Sequence, residues 1–290
     1  MGIGQNSLDR VWLAGSSDDP ARGVEATGGQ VATAVLALAR LGLRCAYVGA
    51  IGADPEGERV LEPLLRAGVD CSRVRRVLGG QTRRALIRVE PESGERTVEP
   101  ERDPAVRLRP ADLDSGQIES ARALLIDVED PEASLRAAEL ANAAELPVVL
   151  DADRRGGGLD ALLPAVDFAV VSHELAASFG DGSLRDALRE LAARCRRLAV
   201  MTLGGGGAAA MARDGETLLE SPAFEVEVRD TTGAGDVFHA GFLWGLLQGW
   251  DAEAVLRTAN AAAALSCRGL GAQGGLPDSE QLAAFLGTSG

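Results

Sequence analysis

The sequence predicts an α/β fold built on a mostly parallel sheet, and three observations predict it. Short apolar runs of buried-strand length alternate with helical stretches, the rhythm of βα units. Hydrophobic residues make up 46% of the 290 but aromatics only 3%, so the core must be Ala, Leu and Val, which suits small-residue helix faces against a Val/Leu sheet. Glycines stand where helical stretches should stop, the usual place for a left-handed cap.

Taken in order, Gln30–Leu41 reads as a helix stopped by Gly42, Arg44–Ala50 as a strand, and Glu56–Ala67 as a helix ended by Gly68. Ala123–Asp127, Val148–Asp151 and Phe168–Val171 read as buried strands, with helices at Pro131–Ala144 and Ser183–Arg194. Leu198–Leu203 is a further strand, and Asp236–Leu247, Asp251–Cys267 and Ser279–Leu286 close the chain as helices. Two stretches break the rhythm. Val11–Ala26 is polar and irregular, while Ala85–Val89 and Arg96–Val98 flank a turn near Ser93-Gly94 and read as an antiparallel hairpin. The expectation is one domain over residues 1–290, with a small β lid formed near 11–27 and 81–102.

The net charge is −14. Binding a phosphate backbone or an anionic membrane needs clustered Lys and Arg, so neither nucleic acid nor a membrane is an expected partner. A bound nucleotide stays compatible with that charge, because helix N-termini and backbone amides hold phosphate locally. The four cysteines, Cys45, Cys71, Cys195 and Cys267, form no CxxC pair, and His173 and His239 lie away from them. They read as reduced buried thiols, not a zinc site. No apolar run approaches membrane-spanning length and no leader pattern opens the chain, so a cytoplasmic location is expected.

The stretch richest in chemistry is Asp230-Thr231-Thr232-Gly233-Ala234-Gly235-Asp236, which follows a strand-like Phe224–Val228 and runs into an apolar helix. Small residues at 233–235 leave amides unobstructed at a helix N-terminus, where the dipole favours an anion. A carboxylate in that first turn can face whatever the amides hold, which is the equipment of phosphoryl transfer. The plainer alternative is a tight turn with Asp236 as a helix cap. A dinucleotide fingerprint fails because position 238 is Phe, and a Walker P-loop fails for want of Gly-Lys-Ser/Thr.

This stretch resembles the C-terminal signature of the ribokinase-like (PfkB) carbohydrate kinases. Gly28-Gly29-Gln30-Val31-Ala32-Thr33, Gly42, and Gly52 with Asp54 and Gly57 resemble the N-terminal signature, and Thr202-Leu203-Gly204 and Asp151-Ala152-Asp153-Arg154-Arg155 add to the match. The resemblance implies a three-layer αβα sandwich with a mostly parallel sheet and a β lid, ATP as phosphoryl donor, Mg2+, K+ as activating ion, a sugar as acceptor, and a homodimer through the lid. It makes Asp236 the base toward a sugar hydroxyl, and Gly233, Ala234 and Gly235 the anion hole. It places Asp230 and Thr232 at a monovalent cation, and Asp9, at the end of the first strand, with Asn6, Gly28, Gly29, Gln30 and Thr33 around the sugar. Thr202, Gly204, Gly207 and Asn260 fall on the nucleotide side, and His239 reads as a satisfied helix residue.

Three departures stand out. Ser172-His173-Glu174 stands where an Asn-x-x-Glu motif associated with magnesium and phosphate is usual, and Gln30 and Thr33 replace commoner residues at positions that look toward the sugar. The Ser172-x-x-x-Ala176 pattern resembles ketohexokinase-like members and points to a ketose. Besides a sugar kinase acting on a primary hydroxyl, a phosphosugar kinase using Arg22, Arg83, Arg88 or Arg96 stays open, as does a weakly catalytic sugar- or nucleotide-binding regulator.

Overall fold

The computed structural model describes residues 1–13, 23–89, 96–180 and 182–288. Its large sheet has eight strands. Six are parallel, in spatial order β4 (Tyr47–Val48), β1 (Gly2–Ile3), β9 (Leu124–Asp127), β10 (Val148–Ala152), β11 (Phe168–Ser172) and β12 (Leu198–Thr202). Beyond β12, β13 (Ala208–Ala212) and β14 (Leu218–Ser221) complete the sheet as antiparallel strands.

Alternate side chains of these strands bury on opposite faces, which creates the layers. Leu125, Val149, Val170 and Val200 pack into one core with α1 (Gln30–Arg40), α8 (Ala234–Leu247) and α9 (Ala252–Ser266). Ile126, Leu150, Val171 and Met201 pack into the other with α4 (Pro131–Ala143) and α7 (Leu184–Arg194). Ala fills the helix faces that meet the sheet, as the low aromatic content requires. Local chemistry starts these helices: Ser183 Oγ accepts the Asp186 N–H at 3.0 Å, and Asp251 Oδ1 accepts the Ala254 N–H at 2.9 Å.

A second sheet of four strands forms the lid, in the order β3 (Val24–Gly28), β2 (Ser7–Leu13), β7 (Arg84–Val89) and β8 (Arg96–Glu101). β7 and β8 are the expected antiparallel hairpin, though its turn near Ser93-Gly94 lies outside the described residues. A third, two-stranded ribbon joins β5 (Ala50–Gly52) to β6 (Arg75–Val77). Asp54 caps α2 (Pro55–Arg66) by accepting the Gly57 N–H at 2.8 Å, and it also accepts the Thr82 N–H at 2.7 Å, tying the lid's root to the body.

Several expectations need correction. Val11–Ala26 is not irregular at its ends, since β2 and β3 pair antiparallel there; residues 14–22 lie outside the described part. The expected strand Arg44–Ala50 is two, β4 and β5, which join different sheets. Phe224–Val228 forms no strand. The chain leaves the sheet after Ser221, and the Arg229 N–H instead reaches the Cys267 carbonyl at 2.8 Å. Asp9 is not at the end of the first strand, because β1 stops at Ile3 and Asp9 lies within the lid strand β2. Among the described residues no helix is long and apolar enough to cross a membrane.

Candidate active site

The turn before α8 sets the site. Gly233 occupies the N-cap with φ +76°, and a Cβ there would lie 2.8 Å from Ala272 Cα, so only glycine fits without strain. Asp230 holds that turn: one carboxylate oxygen accepts the Thr232 N–H at 2.9 Å and hydroxyl at 2.7 Å, the other the Gly271 N–H at 2.8 Å. With both oxygens accepting from protein donors, Asp230 staples two loops together. The Thr232 hydroxyl is likewise turned to Asp230.

Three of the four amides from 233 to 236 have no protein acceptor among the described residues, while the Ala234 N–H reaches the Thr231 carbonyl at 3.2 Å. Of the expected trio, the Gly233 and Gly235 amides are without such an acceptor, as is the amide of Asp236 beside them. Asp236 stands in the first turn of α8, beside these donors. Burial pushes its carboxyl well above the usual carboxylate range, and the nearby Asp151, Asp153, Asp9 and Asp127 push it further.

On one side of this turn lies a cleft of about 1050 Å³ lined by Thr202, Gly204, Gly205, Gly207, Asn260, Gly235, Asp153 and Glu174. A Cβ placed on Gly204, Gly205 or Gly235 meets no atom within 4 Å, so the backbone there is open to a ligand's close approach. Asn260 forms part of the wall, but its Nδ2 donates to the Ser221 carbonyl at 2.9 Å and the Pro222 carbonyl at 3.2 Å. It fixes the edge of β14 more than it offers an amide to a base.

On the other side the protein presents side chains. Asp9 is buried and sits over Gly28, where a Cβ would lie 2.3 Å from its Oδ2. Gly29 is the N-cap of α1, with Gln30 and Thr33 following on that helix. Gln30 Nε2 donates to Asp151 Oδ1 at 3.2 Å. Asn6 Nδ2 donates to the Tyr47 hydroxyl at 2.7 Å, which in turn donates to the Gly4 carbonyl at 2.8 Å. Four buried polar atoms here have no hydrogen-bond partner among the described residues: Asn6 Oδ1, Asp9 Oδ1, Thr33 Oγ1 and Asp151 Oδ2. Each such atom costs about 1–3 kcal/mol. Two of these residues, Asp9 and Asp151, lie close enough to Asp236 to raise its carboxyl.

Sequence reasoning missed three contributors. Asp127, fully buried at the end of β9, accepts the Gln5 and Glu129 N–H groups, and burial lifts its carboxyl to about 7. Asp151, at the neighbouring position on β10, is lifted to about 6 by burial, against the opposing pull of His239. His239 is more than a satisfied helix residue: Nδ1 lies 2.7 Å from the Gly235 carbonyl and 3.4 Å from Asp151 Oδ2, linking the anion-binding turn to the buried carboxylates. The signal was present, since the strands Ala123–Asp127 and Val148–Asp151 both end on Asp at the carboxyl edge of a parallel sheet, where such folds bind ligands.

The model of pfkB family carbohydrate kinases matches residues 5–279. The chain belongs to that family. It is 32% identical over 265 residues to the ribokinase of Bacillus subtilis, covering 89% of this chain and 87% of the relative. It is also 32% identical over 267 residues to an ATP-dependent ribose-1-phosphate kinase of Halopiger xanaduensis, covering 89% and 86%. The Arabidopsis thaliana ribokinase, solved with ribose and ATP, shares the fold at a TM-score of 0.84 and 23% identity, covering 98% of this chain and 97% of its own. The protein is an ATP-dependent sugar kinase with the ribokinase-like fold.

Proposed function

We propose that this kinase transfers the γ-phosphoryl of ATP to a primary hydroxyl of a carbohydrate, with Asp236 as the general base. The observation that carries this is the first turn of α8, where the Asp236 carboxyl adjoins amides that have no acceptor among the described residues. As the acceptor oxygen bonds to the γ-phosphorus, its proton passes to Asp236, and the bond from that phosphorus to the β-γ bridging oxygen breaks to release ADP. Charge on the transferred group is met by the N–H groups of Gly233, Gly235 and Asp236 and by the helix dipole. Burial and neighbouring carboxylates make Asp236 a stronger base than a solvated aspartate, closer to what neutral pH requires.

ATP fits the cleft beside that turn, with Thr202, Gly204 and Gly207 along it. Asp153 and Glu174 are the carboxylates of its wall, and they would hold Mg2+ through its waters, an ion that supplies charge neutralisation to the phosphates. Glu174 would then serve where the Asn-x-x-Glu motif is absent. Asp9, Asn6, Gln30 and Thr33 bind acceptor hydroxyls. A homodimer through the lid belongs to the same proposal; Val24, on its β3 edge, is 73% exposed, and sedimentation velocity tests it.

A phosphosugar acceptor is the second reading, favoured by Arg83 close to Asp9 and by the relative whose name is ribose-1-phosphate kinase. Of the other arginines considered for that role, Arg22 and the side chain of Arg96 lie outside the described residues, and Arg88 is exposed. Asp236→Asn tests the central assignment. ATP affinity should stay within a few-fold, while kcat falls at least about 10²-fold, as for a lost general base; turnover near that of the unmodified enzyme refutes it.

A further inference from the structure

Arg83 precedes β7 at the root of the lid, and its side chain is only 14% exposed. With the Gln5 amide turned so that its oxygen faces the guanidinium, that oxygen accepts from Nη2 and Nε, both at 3.2 Å. Nη1 lies 2.6 Å from Glu129 Oε1, yet out of hydrogen-bond alignment, and among the described residues it finds no other acceptor. Glu129 does not depend on it. Arg102 donates to Oε1 and Arg154 to Oε2, so both oxygens already have a guanidinium. Those two arginines have second carboxylates, Asp130 and Asp153, whereas the ion pair to Glu129 is the one salt bridge of Arg83 among the described residues.

Arg83 also lies near Asp9, the residue proposed to bind the acceptor. Leu8, next to Asp9, donates its N–H to the Arg83 carbonyl at 3.0 Å, and the guanidinium offsets part of the rise that burial imposes on the Asp9 carboxyl. The orphaned oxygens of Asn6, Asp9 and Asp151 can only accept, and they suit neutral hydroxyls. Arg83 is different: it is a mostly buried cation whose one salt bridge among the described residues goes to a Glu129 that two other arginines also contact. Burying it costs several kcal/mol unless its donors are matched, and a guanidinium fork is matched best by a phosphate or carboxylate.

We propose that Arg83 binds an anionic substituent of the acceptor, so that the preferred substrates are sugars carrying a phosphate or a carboxylate and not neutral sugars. This rests on the kinase reading and adds to it the class of acceptor. Arg83 is then a specificity residue, and its loss raises KM for the anionic acceptor with little change in kcat.

The test pairs calorimetric binding with ADP release, using D-ribose against D-ribose 1-phosphate and D-ribose 5-phosphate, and D-glucose against D-gluconate. An anionic member should bind at least about tenfold more tightly than its neutral counterpart, the scale of one charge-assisted hydrogen bond. The ribose arm reports a phosphate and the glucose arm a carboxylate. Arg83→Gln should abolish the preference and leave neutral-sugar binding unchanged, and Glu129→Gln should keep it. If the glutamine variant fails to fold, Arg83→Lys, which keeps the charge but not the fork, must lower the preference several-fold. Neutral sugars that bind as tightly as their anionic counterparts, no detectable binding of any anionic sugar, or a preference that survives loss of Arg83 overturns the inference. Absence of ADP release with every acceptor defeats the kinase reading instead, and binding still judges the role of Arg83.

Discussion

The two sides of the Gly233 turn are built from different materials. The side proposed for the nucleotide is rich in backbone, with open glycines at 204, 205 and 235 and amides at a helix start, beside the side chains of Thr202, Asp153 and Glu174. The acceptor side is side chain: Asp9, Asp127 and Asp151, all buried and all with carboxyls lifted by burial. A backbone cradle binds any triphosphate, so it carries little information about the reaction's other partner. The buried acidic side takes strain from unmatched atoms, and a ligand that matches them relieves it. The proposed roles place specificity on the acceptor side.

Three substitutions sharpen the contrast. Asp9→Ala should raise the acceptor's KM roughly 10²-fold, the loss expected of a charged hydrogen-bonding group, and leave ATP affinity alone in the same titrations. Equal losses for both substrates would erase the division. Gly233→Ala strains the left-handed turn by roughly 1–2 kcal/mol and crowds Ala272; kcat should drop about tenfold, with acceptor KM unmoved, in steady-state assays. Thr33→Val has the smallest effect and the most particular one. It removes a buried hydroxyl that lacks a partner, so the ligand-free protein should gain up to about 1 kcal/mol in denaturant melts while acceptor KM rises a few-fold. A loss of stability there would mean that the hydroxyl is satisfied in the free protein.

The same contrast explains what could be read from the sequence. The turn and α8 were legible because Gly-Ala-Gly-Asp before an apolar run is a local pattern, and Gly42 marked the end of α1 for the same reason. Lid strands β7 and β8 were legible from their alternation. Asp127, Asp151 and Glu129 were not assigned roles, because their meaning comes from neighbours set beside them by parallel pairing, as Asp151 is by its register with Asp127; Arg83 was only one of four arginines that the sequence offered for an acceptor phosphate. Asp9 was expected at the end of the first strand and lies instead within β2. The chain leaves the large sheet after Ile3 and enters the lid within a few residues, and no periodicity announces the exchange. Phe224–Val228 has strand-like composition, but Asn260 holds the end of β14 and the chain turns toward α9.

Asp236 as a base held in a buried acidic cluster is the claim on which this account turns, and the pH dependence of kcat/KM for the acceptor tests it most directly. A carboxyl raised above its ordinary 3.8 keeps its proton to higher pH, so activity should fall on the acid side with an apparent pKa clearly above that value. The same profile measured on Asp151→Asn should show the limb moved back toward lower pH, since one neighbouring negative charge is gone. An acid limb at or below 3.8, or one that Asp151→Asn leaves in place, contradicts it.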